Sequence, residues 1–434
     1  MERIYTTELK AHVGERVRLA GWLHTLRRLG GINFLVLRDV RGAAQVVIET
    51  SEVMAALDGL LPESVLAVEG IVIAEPQAPG GIELHAPVFE ILSPLREPLP
   101  FSLNKPEIKA QLPVFLDHAT VGLRHPQKRA LFRLSAGIMA GFRATLTGLG
   151  FTEIQTPKLV ASATESGANV FGVDYFGQRA YLAKSPQFYK QIMVGVFERV
   201  FEVAPVFSAE PHDTIRHINE YVSLDLEMGF IRDHRDVMAA LTEVIRGILA
   251  HLQTACAPEL ALLNTRLPNV PEQIPEVYFP HAQELILTLH GEDCRGEPDL
   301  APQHERWLGE WAKTQFGSDF LFVAGYPMAR RPFYTHPNPA DPRYSNSFDL
   351  LFRGTELVTG GQRLHLYQDY LDAAARCGYT DLTPFETYLE TFRFGMPPHG
   401  GCAIGLERFI MQLLGLENIR LATLFPRDLN RLAP

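Results

Sequence analysis

The 434-residue sequence has few cysteines, and they lie far apart. Cys256, Cys294, Cys377 and Cys402 form no C-x-x-C pair, so neither a zinc knuckle nor a disulfide framework is expected. We expect all four to be packing residues in a reducing cytoplasm. No apolar run approaches the roughly 18 residues of a membrane span, and the first residues carry acids instead of an apolar core. Neither a membrane protein nor a signal peptide is therefore expected.

Two common nucleotide-binding motifs are also missing. Because neither G-x-G-x-x-G nor a Walker loop occurs, a Rossmann site and a P-loop site are not expected. The net charge of -10 lacks the basic character of a general nucleic-acid binder. Residues 1–48 nevertheless carry eight Lys or Arg against four acids. That local excess is compatible with a nucleic-acid contact, and equally with an ordinary solvated surface.

Hydrophobic periodicity divides the chain into regions of different character. Residues 1–98 contain five short segments of alternating apolar residues separated by glycine-rich turns, which predicts a small Greek-key barrel such as the OB fold. The proline-rich stretch 99–130 is predicted to be a hinge. A long amphipathic helix and irregularly alternating strands and helices follow in 131–434. We therefore predict an α+β protein with an N-terminal barrel and a larger second domain.

A charged loop between two strand-like runs is the first candidate site. The stretch "FSAEPHDTIRHINEY", residues 207–221, holds both acids and cations between "VFEVAPV" and "VSLDLEMGF". Such residues could form a metal site, a solvated surface hairpin, or a nucleotide clamp in which cations face phosphates. Strand alternation would scatter the metal-ligand types over both faces. These residues alone do not distinguish a solvated surface hairpin from a nucleotide clamp.

Three further segments carry candidate chemistry. "FTEIQTPKLVASATESGANVF" predicts a strand ending at Thr156-Pro157 and then a flap, and "SPQFYKQIM" places Gln187 and Lys190 on one helix face. In "NSFDLLFRGTELVTGGQRLH", acids lie within an apolar strand, where burial is costly unless they are paired or metal-bound. In "GMPPHGGCAIGLERFIMQLLGL", Gly405 opens a helix whose N-terminus and Arg408 favour an anion such as phosphate.

Together these stretches resemble the three signature motifs of class II aminoacyl-tRNA synthetases. In detail, "SPQFYKQIM", "RHINEY", "SFDLLFRGTEL", "GGQRLH", "GMPPHGG" and "LFPRD" are similar to aspartyl-tRNA synthetases of the archaeal type, along nearly the whole chain. The resemblance implies an anticodon-reading OB domain and an antiparallel catalytic sheet. It also implies ATP-dependent formation of aspartyl-adenylate, transfer to tRNA, a magnesium ion and a homodimer.

The resemblance also implies roles for individual residues. Those implied to hold L-aspartate are Glu165, Gln187, Lys190, Asp225, Thr359 and Arg363. Those implied to bind ATP are Ser208, Glu210, Arg216, His217, Ile218, Glu356, Gly405, Leu406, Glu407 and Arg408, with Arg408, Glu210 and Arg216 as catalytic residues. Magnesium would lie near Glu356 and Thr359, supported by Asp349. A neutral asparagine amide would leave two buried cations, Lys190 and Arg363, uncompensated, which predicts its rejection.

Ser208 departs from the family pattern, which places an arginine there against the amino-acid carboxylate and the α-phosphate. Serine supplies neither the reach nor the charge, and a lost transition-state donor costs about 10²–10³ in rate. Three interpretations stay open from the sequence. Arg216 compensates, activation is slow, or the chain is a divergent paralogue that has lost activation.

Four residues of the N-terminal region are implied to contact tRNA. Phe34 and Gln45 match residues that stack on and hydrogen-bond to the middle anticodon base, although a packed aromatic is the alternative for Phe34. His24 and Pro79 fall where the family separates two types of enzyme. Their combination resembles the non-discriminating type, which charges both tRNA(Asp) and tRNA(Asn). A tRNA-independent amide ligase that makes asparagine is a rival reading, which the barrel argues against.

Overall fold

Alternating apolar residues near the N-terminus close a five-stranded barrel, in the order β1-β2-β3-β5-β4. The strands are β1 (Arg16–Arg28), β2 (Asn33–Arg38), β3 (Ala43–Ile48), β4 (Val65–Ala74) and β5 (Ile82–Ser93), with a short helix α1 (Ser51–Ala55) before β4. Every second side chain, including Leu19, Leu35, Val46, Val68 and Leu84, is withdrawn from solvent into the barrel core. The predicted OB-type barrel is confirmed.

The structure, a computed structural model, describes residues 1–29, 31–161 and 169–434. Contacts divide the chain into two units, Met1–His125 and Pro126–Pro434. The stretch 99–130, predicted as a hinge, contains the short helices α2 (Leu112–Asp117) and α3 (Ala119–Gly122) and the first turn of α4 (Pro126–Gly148).

The second unit is built on an eight-stranded sheet in the order β12-β13-β14-β15-β16-β11-β10-β6. Its strands are β6 (Thr152–Glu153), β10 (Arg199–Phe207), β11 (Glu220–Gly229), β12 (Glu276–Tyr278), β13 (Phe320–Ala324), β14 (Ser347–Phe352), β15 (Glu356–Gln362) and β16 (His399–Gly405). The six central strands pair antiparallel, and the two edge strands pair parallel. A smaller sheet contains β7 (Leu159–Val160), β8 (Gly172–Tyr175) and β9 (Gln178–Leu182) in the order β7-β9-β8.

Helices flank this sheet, which confirms the predicted fold class. They are α5 (Gln187–Phe197), α6 (His234–Ala255), α7 (Ala257–Leu262), α8 (Phe279–His290), α9 (Pro302–Phe316), α10 (Tyr367–Arg376), α11 (Glu386–Arg393) and α12 (Leu406–Leu414). Short 3-10 helices span Thr6–His12, Pro79–Gly81, Met328–Arg330, Thr383–Phe385 and Ile419–Ala422. Among the described residues, no helix is long and apolar enough to cross a membrane.

The main core lies between one sheet face and the pair α4 and α6. Apolar side chains of both helices, such as Ile138 and Ile245, pack with Leu224 and Leu226 of β11. Gly141 permits this close packing, since a Cβ there would lie 2.9 Å from the Cα of Ile248. The opposite face of β11 is therefore free to carry polar side chains, and α5 packs on it.

Candidate active site

Strand alternation explains why acids are buried in the middle of the sheet. In β11, even-numbered residues such as Leu224 enter the core, so Ser223, Asp225 and Glu227 project from the other face. Asp225 is 1% exposed and Glu227 is fully buried. Buried carboxylates need charged or hydrogen-bonding partners, and α5 and the residue that follows β15 provide them.

Two cations neutralise these acids. Lys190 Nζ lies 2.9 Å from Asp225 Oδ1 and 3.4 Å from Glu227 Oε2. Arg363 Nε donates to Glu227 Oε1 at 3.0 Å, and its Nη2 donates to the carbonyl of Gly401 at 3.0 Å. We call Lys190, Asp225, Glu227 and Arg363 the buried charge cluster. Its formal charges sum to zero.

The ionisation of the cluster follows from this pairing. Burial lowers the pKa of Lys190, but the charges of Asp225 and Glu227 outweigh burial, so the net shift is upward. For Glu227, burial raises the pKa, and Arg363 and Lys190 outweigh it, so the net shift is downward. Lys190 and Glu227 are thus both held in their charged forms.

Lys190 and Arg363 pair with Asp225 and Glu227 within the chain itself. The predicted rejection of asparagine therefore requires the β-carboxylate of aspartate to take over these cations from their partners in the chain. Gln187 extends the cluster, with Arg363 Nη2 donating to its Oε1 at 3.5 Å. Its Nε2 is buried without a hydrogen-bond partner among the described residues, which leaves a donor for a polar ligand.

A cavity of about 280 Å³ opens next to the cluster. The predicted ATP residues that line it are Ser208, Glu210, Arg216, His217, Ile218, Glu356, Gly405, Glu407 and Arg408. Thr359, which was predicted for both aspartate and magnesium, lines the same cavity. Ser223 of β11 contributes to its wall, so the cavity and the buried charge cluster share one strand.

Two of the predicted ATP residues have structural roles. For Leu406 this role replaces the predicted one, and for Glu407 it comes in addition to lining the cavity. The side chain of Leu406 packs into the main core and does not line the cavity, because it is directed inward on the first turn of α12. The carboxylate of Glu407 accepts from the backbone N–H of Val222 at 3.1 Å, and burial raises its pKa to about 7. Glu407 therefore fastens α12 to β11.

Arg408 occupies the cavity wall at the start of α12. Its Nη1 donates to Glu356 Oε1 and to the Glu356 carbonyl, both at 3.3 Å. The helix N-terminus and this guanidinium favour an anion at the same place. Burial and the nearby charge of Arg408 lower the pKa of His217, which keeps that imidazole neutral near pH 7.

The charged hairpin loop is held from both sides. Lys184 Nζ lies 2.6 Å from Glu210 Oε1, and Asn219 Nδ2 donates to the carbonyls of Ser208 and Glu210. Arg420 pairs with Asp213 at 2.8 Å. In the described chain no group of three or more His, Cys, Asp or Glu side chains could hold a metal ion by itself. The loop arrangement favours the nucleotide-clamp reading over a freely solvated hairpin.

Glu356 on the cavity wall, with Glu305 bonded to its backbone, suits a cation that arrives with phosphates. Thr359 Oγ1 donates to Glu356 Oε1 at 3.3 Å, and the backbone N–H of Glu356 donates to Glu305 Oε2 at 3.1 Å. Burial, with a contribution from Glu356, raises the pKa of Glu305 to about 7. Magnesium usually takes one or two carboxylates and completes its shell with phosphates and water, so Glu356 and Glu305 fit it.

Asp349, predicted to support the magnesium site, pairs with an arginine. Arg331 Nη2 donates to its Oδ1 at 2.9 Å. Burial raises the pKa of Asp349 to about 6, with Arg331 lowering it and Glu356 raising it. Asp349 is the cross-strand partner of Thr359 in β14 and β15, so this ion pair adjoins a residue predicted at the magnesium ion.

Two other predicted features concern Glu165 and the segment around Thr156-Pro157. Glu165 lies outside the described residues. Thr156, next to Pro157, is fixed by Glu202, whose carboxylate accepts from the Thr156 N–H at 2.9 Å and from its hydroxyl at 2.7 Å. Lys158 pairs with the same carboxylate at 2.8 Å.

In the barrel, the predicted tRNA residues lie in different environments. Phe34 is half-buried on β2, and Gln45 on β3 donates to Glu83 Oε2 at 2.9 Å. Pro79 is exposed at the start of a 3-10 turn. His24 is partly buried, and burial together with Arg38 lowers its pKa. Several basic side chains of residues 1–48 are already paired, such as Arg18 with Glu69 and Glu90 and Arg38 with Glu63.

Comparison with known families assigns this architecture. Residues 112–429 match the class II tRNA synthetases (D, K and N), and residues 17–92 match the OB-fold nucleic acid binding domain. The chain belongs to the class II tRNA synthetases. It is 47% identical to the aspartate–tRNA(Asp/Asn) ligase of Thermus thermophilus over 100% of both chains. It is 46% identical to the ligase of the same name from Deinococcus radiodurans, over 100% of this chain and 99% of the relative.

Solved structures of class II synthetases superpose closely on it. Asparaginyl-tRNA synthetase from Pyrococcus horikoshii, complexed with asparaginyl-adenylate, gives a TM-score of 0.93 at 32% identity, with 100% of both chains covered. The aspartyl-tRNA synthetase of Entamoeba histolytica gives 0.90 at 30% identity, covering 100% of this chain and 93% of that one. The fold is thus shared by synthetases for either amino acid.

Three residues of this synthetase site did not emerge from the sequence. Glu227 could have been found from the alternation in "VSLDLEMGF", which puts it on the same face as Asp225. Glu305 lies on α9, far along the chain from β15, and no local pattern links them. Lys184 is a single lysine before Ser185-Pro186, and only the fold brings it to Glu210.

Proposed function

We propose that this synthetase is an aspartate–tRNA ligase. An α-carboxylate oxygen of L-aspartate attacks the α-phosphorus of ATP, the bond to pyrophosphate breaks, and aspartyl-adenylate forms. A ribose hydroxyl of the terminal adenosine of tRNA then attacks the acyl carbon, releasing AMP. Positioning and charge neutralisation supply most of the rate in such a reaction.

The buried charge cluster beside the cavity of about 280 Å³ carries the proposal. Asp225 accepts from the ammonium of the substrate aspartate. Lys190 and Arg363 are then available to pair with the β-carboxylate of the substrate. Gln187 offers the open donor described above. The match to relatives named as aspartate–tRNA(Asp/Asn) ligases over the full chain supports the same substrate.

The residues that line the cavity have different roles in binding ATP. Arg408 and Arg216 face the phosphates as cations, and Glu210 and His217 lie on the loop that borders them. A magnesium ion held by Glu356, with Glu305 and Thr359 nearby, would neutralise phosphate charge when ATP is bound. Glu407 holds the motif around Arg408 against β11, so that the guanidinium is positioned before ATP arrives.

The proposal extends to tRNA(Asn) and to a homodimer. Charging of both tRNA(Asp) and tRNA(Asn) is supported by His24 and Pro79 in the barrel and by the relatives that are named aspartate–tRNA(Asp/Asn) ligases. The OB-fold match over residues 17–92 favours a tRNA-dependent ligase over a tRNA-independent amide ligase. The homodimer is supported by the resemblance of Thr156-Pro157 after α4 to the first signature motif.

Aminoacylation of purified tRNA(Asp) and tRNA(Asn), side by side with radiolabelled aspartate, tests the proposal. We expect aspartate on both tRNAs, with kcat/KM values within about tenfold of each other. Charging of tRNA(Asp) alone would remove the tRNA(Asn) part, and charging of neither would contradict the ligase. Light scattering of the same preparation measures the mass, for which a single chain would overturn the homodimer.

A further inference from the structure

Lys184 lies beside Ser208 on the wall of the ATP cavity. It stands between β9 and α5, and the backbone N–H of Phe207 donates to the carbonyl of Ala183 at 3.0 Å. This bond aligns Lys184 with Ser208, and both line the cavity. The small serine side chain leaves the space next to Lys184 open to a ligand.

Lys184 is also linked along the chain to the helix that reaches the amino-acid pocket. Three residues after it, α5 begins with Gln187, and the same helix carries Lys190 into the buried charge cluster. The carboxylate of the amino acid and the α-phosphate of ATP must meet at the boundary between these two spaces. Lys184 therefore puts a positive charge near the point where the new bond forms.

Arg408, another cation of the described cavity wall, bonds to Glu356 on the acidic side. Its guanidinium thus lies toward an acid that suits a magnesium–phosphate group. Lys184 instead bonds to Glu210 at 2.6 Å, on the hairpin side.

We propose that Lys184 is the catalytic cation that contacts the α-phosphate and the attacking carboxylate, in place of an arginine at position 208. The proposal rests on the proposed function. An ammonium has three donors, so Lys184 can keep Glu210 and still reach a phosphate oxygen. It is a point charge without the fork of a guanidinium, so it replaces the charge of an arginine but not a bidentate geometry. Ser208 is then a tolerated difference, and Arg216 is not the compensating residue.

Aspartate-dependent exchange between pyrophosphate and ATP tests the role of Lys184. We expect Lys184→Met to lower kcat about 10²–10³-fold while the KM for aspartate changes less than threefold. Lys184→Arg should keep at least a tenth of the activity. In the Lys184→Met background, Ser208→Arg should restore activity at least tenfold. The exposed lysine variant Lys313→Met is the matched control, expected within twofold of the parent.

The proposal is overturned if Lys184→Met stays within threefold of the parent, or if Ser208→Arg fails to rescue it. Thermal unfolding and the KM for aspartate show whether a slow variant is folded. Should the parent show no exchange, the proposed function fails. Calorimetric measurement of ATP binding then tests the contact between Lys184 and ATP independently of catalysis. About tenfold weaker binding by Lys184→Met supports the contact, and unchanged binding refutes it.

Discussion

Lys190 Nζ lies 2.9 Å from Asp225 Oδ1, and both side chains are only 2% exposed. Glu227 Oε2 lies 3.4 Å from the same lysine nitrogen, and the Glu227 carboxylate also pairs with Arg363. Four charged groups are thus held in a space from which water is largely excluded. Each depends on its neighbours, because an isolated buried charge is strongly destabilising. The amino-acid site and the stability of the sheet are therefore linked.

Removal of the lysine charge tests this link. We expect Lys190→Met to lower the free energy of unfolding by about 3–5 kcal/mol, because Asp225 and Glu227 lose their shared cation. Urea denaturation measures the change. Lys313→Met, which removes an exposed ion pair with Asp319, should cost less than about 1 kcal/mol. Equal effects of the two variants would mean that the buried cluster is not an interdependent unit.

Arg408 is expected to act on ATP and not on stability. Arg408→Met should lower kcat/KM for ATP in pyrophosphate exchange by about 10²–10³-fold, because a cation at the phosphates is lost. Steady-state exchange at varied ATP provides the value. Arg295→Met removes an exposed guanidinium outside the site and should leave exchange unchanged. A loss below fivefold for Arg408→Met would place the phosphates elsewhere.

Phe34 is expected to matter only when tRNA is present. Phe34→Ala should reduce kcat/KM for tRNA by about 5–150-fold, the equivalent of about 1–3 kcal/mol for one stacked base. Pyrophosphate exchange without tRNA should not change. Val88→Ala, on the exposed side of β5 in the same barrel, is the control. If Phe34→Ala impairs both reactions alike, the ring has a packing role instead.

His399 makes stability depend on pH. Burial lowers its pKa from 6.5 to about 4, so below pH 6.5 the unfolded chain binds a proton that the folded chain does not accept until about pH 4. The free energy of unfolding must therefore fall as the pH falls through this window, by about 3 kcal/mol for this group. Denaturation of the parent and of His399→Gln at pH 7 and pH 4 isolates the contribution of His399 to the change in the free energy of unfolding. The variant should lose about 3 kcal/mol less than the parent, and equal losses would contradict the assignment.

The elements of this fold were predictable wherever a local pattern carried them. Alternation identified the barrel and the hairpin of β10 and β11, and Ser185-Pro186 and Gly405 marked the starts of α5 and α12. The same patterns brought Gln187 and Lys190 to one helix face, where the structure places them against β11 and β15.

The sequence could not predict which side chains pair across the sheet or in which direction the side chains at the start of α12 project. The pairing of Arg363 with Glu227 depends on sheet register, which sets β11 beside β16 and β16 beside β15. Leu406 was expected at ATP, but the helix turn directs it into the core. Glu407 lines the cavity as expected, and its bond from the Val222 N–H was not predicted. Such roles depend on long-range contacts that no local pattern encodes.

The most direct test of the central claim is pyrophosphate exchange with L-aspartate and L-asparagine, each at saturating ATP and without tRNA. The buried charge cluster beside the ATP cavity predicts rapid exchange with aspartate and at least about 10³-fold lower kcat/KM with asparagine, since only a carboxylate can replace the partners of Lys190 and Arg363. Exchange that is equal for the two amino acids, or faster with asparagine, would contradict the account.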